Sequence, residues 1–128
     1  MNVGIVCTAV LGLLLFGLGL YVSVLRQRTG RSVGCDLGPT DPLHRAVRAH
    51  GNTAEYAPFF AVLFLWFATH PGPAWVSIAI VLATLARLSL VAGLLWGPSL
   101  DKPTPARFVG ALLTYVTGIA LAVRLALG

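Results

Sequence analysis

The sequence has few charges, and acidic residues are especially rare. Charged side chains make up 10% of the 128 residues, with four Asp or Glu against nine Lys or Arg. A typical soluble domain is about 25% charged, whereas this chain is 57% hydrophobic. A water-soluble globular domain is therefore excluded. The length allows a single membrane domain, residues 1–128, of about four spans of ~20 residues each.

Cysteine is also scarce, and no metal site is predicted. Cys7 and Cys35 lie at opposite ends of the first apolar run, so they cannot pair within one chain, and neither is assigned a role. The net charge of +5 comes from basic residues confined to segments between apolar runs. No basic stripe or stacking platform is present, so we do not expect nucleic acid as a partner.

Four apolar segments predict an all-α integral membrane protein, an up-down antiparallel bundle of four transmembrane helices. Asp41-Pro42 and Thr104-Pro105 combine a helix-capping residue with proline at the first helical position. His70-Pro71-Gly72-Pro73 interrupts the middle of the chain. The predicted spans are about 3–25, 42–69, 74–96 and 105–127.

The distribution of Lys and Arg predicts the orientation in the membrane. Seven of the nine flank the first and third loops: Arg26, Arg28, Arg31, Arg45, Arg48, Lys102 and Arg107. The loop at residues 70–73 has none. The positive-inside rule then predicts that the first and third loops are cytoplasmic and that both termini lie outside the cytoplasm.

Polar side chains enter the membrane on one face of the second span. At 100° per residue, Arg48, Asn52, Glu55 and Tyr56 fall within about 100° of arc, and Arg45 joins them. Charged residues inside a span are costly and mark functional sites by default. The sequence therefore indicates a binding site on this face.

Glu55 on the second span and Arg87 on the third are predicted to form an ion pair inside the bundle. Both lie about 20 Å from the break at residues 70–73, at 1.5 Å per residue. Opposite charges at one depth on adjacent helices favour pairing. The pair would belong to a binding site or act only as a structural clasp, and this alternative stays open.

Arg107 lies just after the proline that opens the fourth span. A helix N-terminus attracts anions, and an arginine there would favour the thiolate form of a bound thiol. An ordinary juxtamembrane arginine is the alternative, both for Arg107 and for Arg26 at the end of the first span.

The fourth span carries a small residue at every fourth position. The members are Ala106, Gly110, Thr114, Gly118, Ala122 and Ala126. Such a stripe allows close packing of helices. The sequence leaves open whether the partner helix belongs to the same subunit or to a neighbour in an oligomer.

The motif Arg48-x-x-x-Asn52-x-x-Glu55-Tyr56-x-Pro58 on the second of four spans resembles the signature of the MAPEG family, the membrane-associated proteins in eicosanoid and glutathione metabolism. The likeness is strongest to the short bacterial members. It implies a homotrimer in the bacterial inner membrane that binds glutathione, the cosubstrate, between subunits near the cytoplasmic face.

The resemblance also implies residue roles. Arg107 would stabilise the thiolate and is the expected catalytic residue. Arg87 would meet Glu55 or the peptide, and Arg26 would come from the neighbouring subunit. The expected contacts with glutathione are Arg48, Asn52, Glu55, Tyr56, Arg87 and Arg26.

Two positions depart from the eicosanoid-forming members, which place tyrosine and serine where this chain has Leu94 and Phe108. The third loop is also a few residues longer. Catalysis is therefore left open. An active member would be a glutathione transferase or peroxidase acting on lipophilic electrophiles, and the alternative is a non-catalytic member that binds a lipid or a partner protein. A small multidrug transporter is a remote alternative, because the first span lacks the acidic residue that those proteins use.

Overall fold

A computed structural model describes residues 1–128 and confirms an all-α fold. The helices are α1 (Val3–Thr29), α2 (Pro42–Thr69), α3 (Ala74–Trp96) and α4 (Pro105–Leu127). By length and composition, α1, α3 and α4 are apolar enough to cross a membrane, whereas α2 is not, since its first half carries the polar face. The first and third loops meet at one end of the bundle, called here the loop end.

Helix α1 continues four residues beyond the predicted end at residue 25. It ends at Gly30, whose backbone is left-handed (φ 69°) and whose N–H donates to the carbonyl of Arg26. The predicted span covers the uncharged part of this helix, which continues through Arg26 and Arg28. Arginines in a last turn interact favourably with the helix dipole, and a glycine that accepts positive φ sets the real end.

Side chains cap the starts of α2 and α4. The Asp41 carboxylate accepts from the N–H of His44 at 2.9 Å, and the Thr104 hydroxyl accepts from the N–H of Arg107 at 3.3 Å. Each bond satisfies one of the N–H groups that have no partner inside the helix. These caps fix the register of both helices at the loop end.

Helix α1 packs along α2, and α3 packs along α4. The two pairs join through α3, which contacts both α1 and α2, while α2 and α4 meet only briefly. The largest buried apolar side chains of the core come from three helices: Leu11, Leu63, Phe64 and Leu121. The short contact between α2 and α4 leaves room for a groove between them.

Gly110, in the small-residue stripe of α4, packs against α3 of the same chain. A Cβ atom there would lie 2.8 Å from the carbonyl oxygen of Ala86 and 2.9 Å from the amide nitrogen of Leu90. The α4 backbone can approach α3 this closely only because the residue is glycine. The sequence left open which helix packs against the small-residue stripe. For Gly110, that helix is α3 of the same chain.

Arg45 lies on the face of α2 that meets α3, but it does not line the cavity that Arg48 and Asn52 line. Its side chain, 9% exposed, crosses to the end of α3 and donates to the carbonyls of Gly97 at 2.6 Å and Pro98 at 2.9 Å. It also donates to the carbonyls of Leu94 and Leu95. The last carbonyls of a helix lack partners and carry the negative end of the dipole, so they attract this cation.

We predict that Gly110→Ala lowers the free energy of unfolding by about 1–3 kcal/mol, the usual cost of overpacking, because the new methyl group would push α4 away from α3. Thermal unfolding in detergent measures this. Gly17→Ala is the matched control, since a Cβ atom at Gly17 meets nothing within 4 Å. Equal stability of the two variants would contradict the assigned contact.

Candidate functional site

The buried side chain of Arg87 lies at the centre of the polar region. The residue is 0% exposed, and its guanidinium donates to the side-chain oxygen of Asn52 and, at 3.5 Å, to the hydroxyl of Thr114. The guanidinium carbon lies 5.0 Å from the centroid of the Tyr56 ring, within range of a cation–π interaction. Arg87 thus binds α2 and α4 to α3 from inside.

The predicted ion pair between Glu55 and Arg87 does not form within the chain. Glu55 is exposed, and the hydrogen bonds of Arg87 go to other side chains. Counting residues gives depth along a helix and relative direction around it, but not which face meets a neighbouring helix. Asn52 and Tyr56, four positions apart, share the face that meets Arg87, whereas Glu55 points about 60° away from Asn52 and about 100° away from Tyr56.

A cleft of about 400 Å³ opens at the loop end. Its walls come from both loops and from α2, α3 and α4. The lining residues are Leu37, Pro39, His44, Arg48, Asn52, Leu90, Leu94, Leu100, Asp101 and Arg107. Three residues of the predicted site, Arg48, Asn52 and Arg107, therefore line one cavity, whose volume is within the usual 300–1,000 Å³ or so of small-ligand sites.

The polar side chains of this cleft are mainly hydrogen-bond donors. Arg48 is exposed. Because the side-chain oxygen of Asn52 accepts from Arg87, the NH₂ group of Asn52 is available to donate to a ligand. Arg107 donates through Nη1 to the carbonyls of Leu100 at 2.8 Å and Lys102 at 3.3 Å. The cleft is suited to bind an anionic ligand.

Glu55 and Tyr56 line a different cavity, a groove of about 260 Å³ between α2 and α4. Its walls are mostly apolar, and Glu55 is the only charged residue among them. The rings of Tyr56 and Tyr115 lie 6.1 Å apart between centroids and are tilted by 60°. The predicted polar face is thus divided, with Arg87 buried between the cleft and the groove.

Arg26 lies away from both cavities. Its side chain donates to the carbonyls of Gly34 at 2.6 Å and Arg31 at 3.4 Å, which holds the first loop against the end of α1. The resemblance assigns Arg26 to the site of a neighbouring subunit, and that role stays a prediction.

Sequence reasoning missed His44 and Asp101 as residues of the cleft. The imidazole Nδ1 of His44 lies 3.0 Å from the carbonyl oxygen of Gly38, so Nδ1 carries the proton and donates. Its position four residues before Arg48, on the same helix face, is a signal that would have identified it. Asp101 lies in a loop without periodicity, so no such signal existed.

These features define a four-helix integral membrane protein with an arginine-lined cleft at one end and an apolar groove at its side. The sequence model of the MAPEG family matches residues 4–127. The chain therefore belongs to the MAPEG family, membrane proteins of glutathione and eicosanoid metabolism, as the motif on α2 indicated. No curated protein and no solved structure matches the chain.

We predict that Asn52→Leu lowers the free energy of unfolding by about 1–3 kcal/mol, because a buried guanidinium would lose a hydrogen-bond partner. Glu55→Gln should leave stability almost unchanged, since Glu55 is exposed and does not hold Arg87. Thermal unfolding of both variants in detergent is the measurement. Greater destabilisation by Glu55→Gln than by Asn52→Leu would show that Glu55 holds Arg87 after all.

Proposed function

We propose that this protein binds glutathione, or a related thiol, in the cleft at the loop end and conjugates it to lipophilic electrophiles. The observation that carries the proposal is the convergence of Arg48, Asn52 and Arg107 on one cavity from two helices. Membership of the family supports the choice of ligand, and the motif resemblance assigns these three side chains to the glutathione site.

The charges of the ligand and the cleft are complementary. Glutathione carries two carboxylates, one ammonium group and a thiol. Arg48 and Arg107 offer cationic donors, and the amide of Asn52 adds a neutral one. Charge-assisted hydrogen bonds of arginine to carboxylates are the strong kind, so these residues would hold the peptide in a fixed orientation.

Arg107 would stabilise the reactive thiolate. It lies in the first turn of α4, where the helix dipole and unpaired N–H groups already favour an anion. In the proposed step the thiol S–H bond breaks and its proton passes to water. The thiolate then forms a bond to the electrophilic carbon, and the leaving group departs with its electron pair. A fixed cation beside the sulfur lowers the barrier by stabilising the negative charge.

The groove between α2 and α4 would admit the lipophilic substrate from the bilayer. Its walls are apolar, and it lies on the other side of Arg87 from the cleft. Glu55 and Tyr56 would contact the lipophilic substrate from this side. Arg87 would position Asn52 and Tyr56, with which it is in contact.

We further propose a homotrimer in a bacterial inner membrane, with both termini outside the cytoplasm. The basic residues around the first and third loops support this orientation. In a trimer, Arg26 of a neighbouring subunit would complete the site, as the family resemblance implies.

A second candidate function is binding of a lipid or a partner without catalysis. The observation that favours it is that Arg107 already bonds two backbone carbonyls, which gives the side chain a structural role. This candidate expects binding of glutathione or lipid with no turnover, so a binding assay beside an activity assay separates the two functions.

We predict that Arg48→Ala weakens glutathione binding about tenfold, because one charge-assisted hydrogen bond contributes about 1.5–3 kcal/mol. The measurement is the rise in thermal unfolding temperature with glutathione concentration. Arg28→Ala, an exposed arginine outside the cleft, is the control and should bind as the wild type does. Absence of any response in the wild type would refute the proposed ligand.

We predict that Arg107→Ala lowers kcat/KM for conjugation of glutathione to a chlorinated nitroaromatic about 100-fold or more, the usual effect of losing a charge-stabilising donor. Arg124→Ala, at the opposite end of α4, is the control and should leave the rate unchanged. Unfolding without ligand checks that the Arg107 variant is folded. A folded Arg107→Ala variant with full activity would exclude the catalytic role.

A further inference from the structure

The third loop holds Asp101 in a fixed position on the wall of the cleft. Ser99, which is 8% exposed, donates its hydroxyl to the Asp101 carboxylate. Arg107 donates to the carbonyls on both sides of it, those of Leu100 and Lys102. The loop is also tied to the first loop, because the N–H of Leu100 donates to the carbonyl of Pro39 at 2.9 Å. These bonds restrain the loop around the carboxylate, which is itself exposed.

Asp101 is the only acidic residue that lines the cleft. Its one hydrogen bond within the chain comes from Ser99 and engages a single oxygen, which leaves the second oxygen to accept from a ligand. The one carboxylate of the predicted site, Glu55, lines the groove on the far side of Arg87. A cationic group of a ligand held in the cleft thus has one anion within the same cavity.

The charge balance of the cleft matches a peptide with a free amino group. With His44 neutral, Arg48, Arg107 and Asp101 give the lining a formal charge of +1. A thiol peptide with two carboxylates and one ammonium group carries −1. A cleft of two arginines alone would favour a doubly negative ligand without an amine.

We propose that Asp101 binds the ammonium group of the thiol peptide and makes the site select ligands with a free amine. This inference rests on the proposed function, and it places the amine at the third loop and not at Glu55 in the groove. A carboxylate of the peptide then faces Arg48, and its sulfur faces Arg107. Ordering of the loop before binding reduces the entropic cost of making the contact.

The test compares glutathione with its des-amino analogue, glutaryl-cysteinyl-glycine, in thermal unfolding titrations of the detergent-purified protein. Wild type should bind glutathione about tenfold more tightly than the analogue. Asp101→Asn should lose this preference, binding glutathione about tenfold more weakly and the doubly negative analogue at least as tightly as before. Asp101→Glu keeps the charge and should retain the preference for glutathione over the analogue. It is the variant to measure if Asp101→Asn does not fold.

Glu55→Gln is the matched control, a neutralised carboxylate in the groove, and should keep the wild-type preference for the amine. Loss of the preference in Glu55→Gln and its retention in Asp101→Asn would overturn the inference. Retention of the preference in both variants would overturn it too. A wild type that binds neither peptide would refute the proposed function itself, an outcome distinct from the other two.

Discussion

A charge buried within a membrane bundle is the constraint on which the site depends. The guanidinium of Arg87 is fully enclosed, and an unpaired cation in that environment would cost several kcal/mol or more. Polar groups from both neighbouring helices therefore turn toward it, Asn52 from α2 and Thr114 from α4, with the face of Tyr56 above. What remains of the polar face of α2 points either to the loop end or to the side groove.

Arginines also order the loop end, by a different route. Arg45 donates to the carbonyls that end α3, and Arg107 donates to carbonyls of the loop that follows. Backbone carbonyls are acceptors that a loop cannot avoid presenting. A guanidinium with five donors satisfies several of them at once, so two side chains fix the third loop against the bundle. A cleft built from fixed walls loses little entropy when a ligand enters.

The sequence predicted the helices better than the contacts between them. A capping residue followed by proline predicts where a helix begins, because the cap accepts a free N–H and proline already has a helical φ. Both α2 and α4 begin at such pairs. Charge alone does not end a helix, and so α1 extends past its first arginines to Gly30. Counting residues placed Glu55 and Arg87 at the same depth in the membrane. It could not show whether the two side chains face each other. The face of a helix that meets its neighbour depends on packing between the two helices.

The contact of Asp101 with the cleft could not be predicted from the sequence. The same loop shows that Arg107 can hold the backbone and still bind a ligand. Loop residues follow no period, so only the folded chain reveals that Arg107 holds the carbonyls on both sides of Asp101. Those two bonds use Nη1 alone, and the guanidinium keeps its Nη2 and Nε donors. An anion can therefore bind Arg107 without releasing the loop. Arg107 can thus hold the third loop and bind a ligand at the same time. The loop that it holds carries Asp101, the carboxylate that would complete the site.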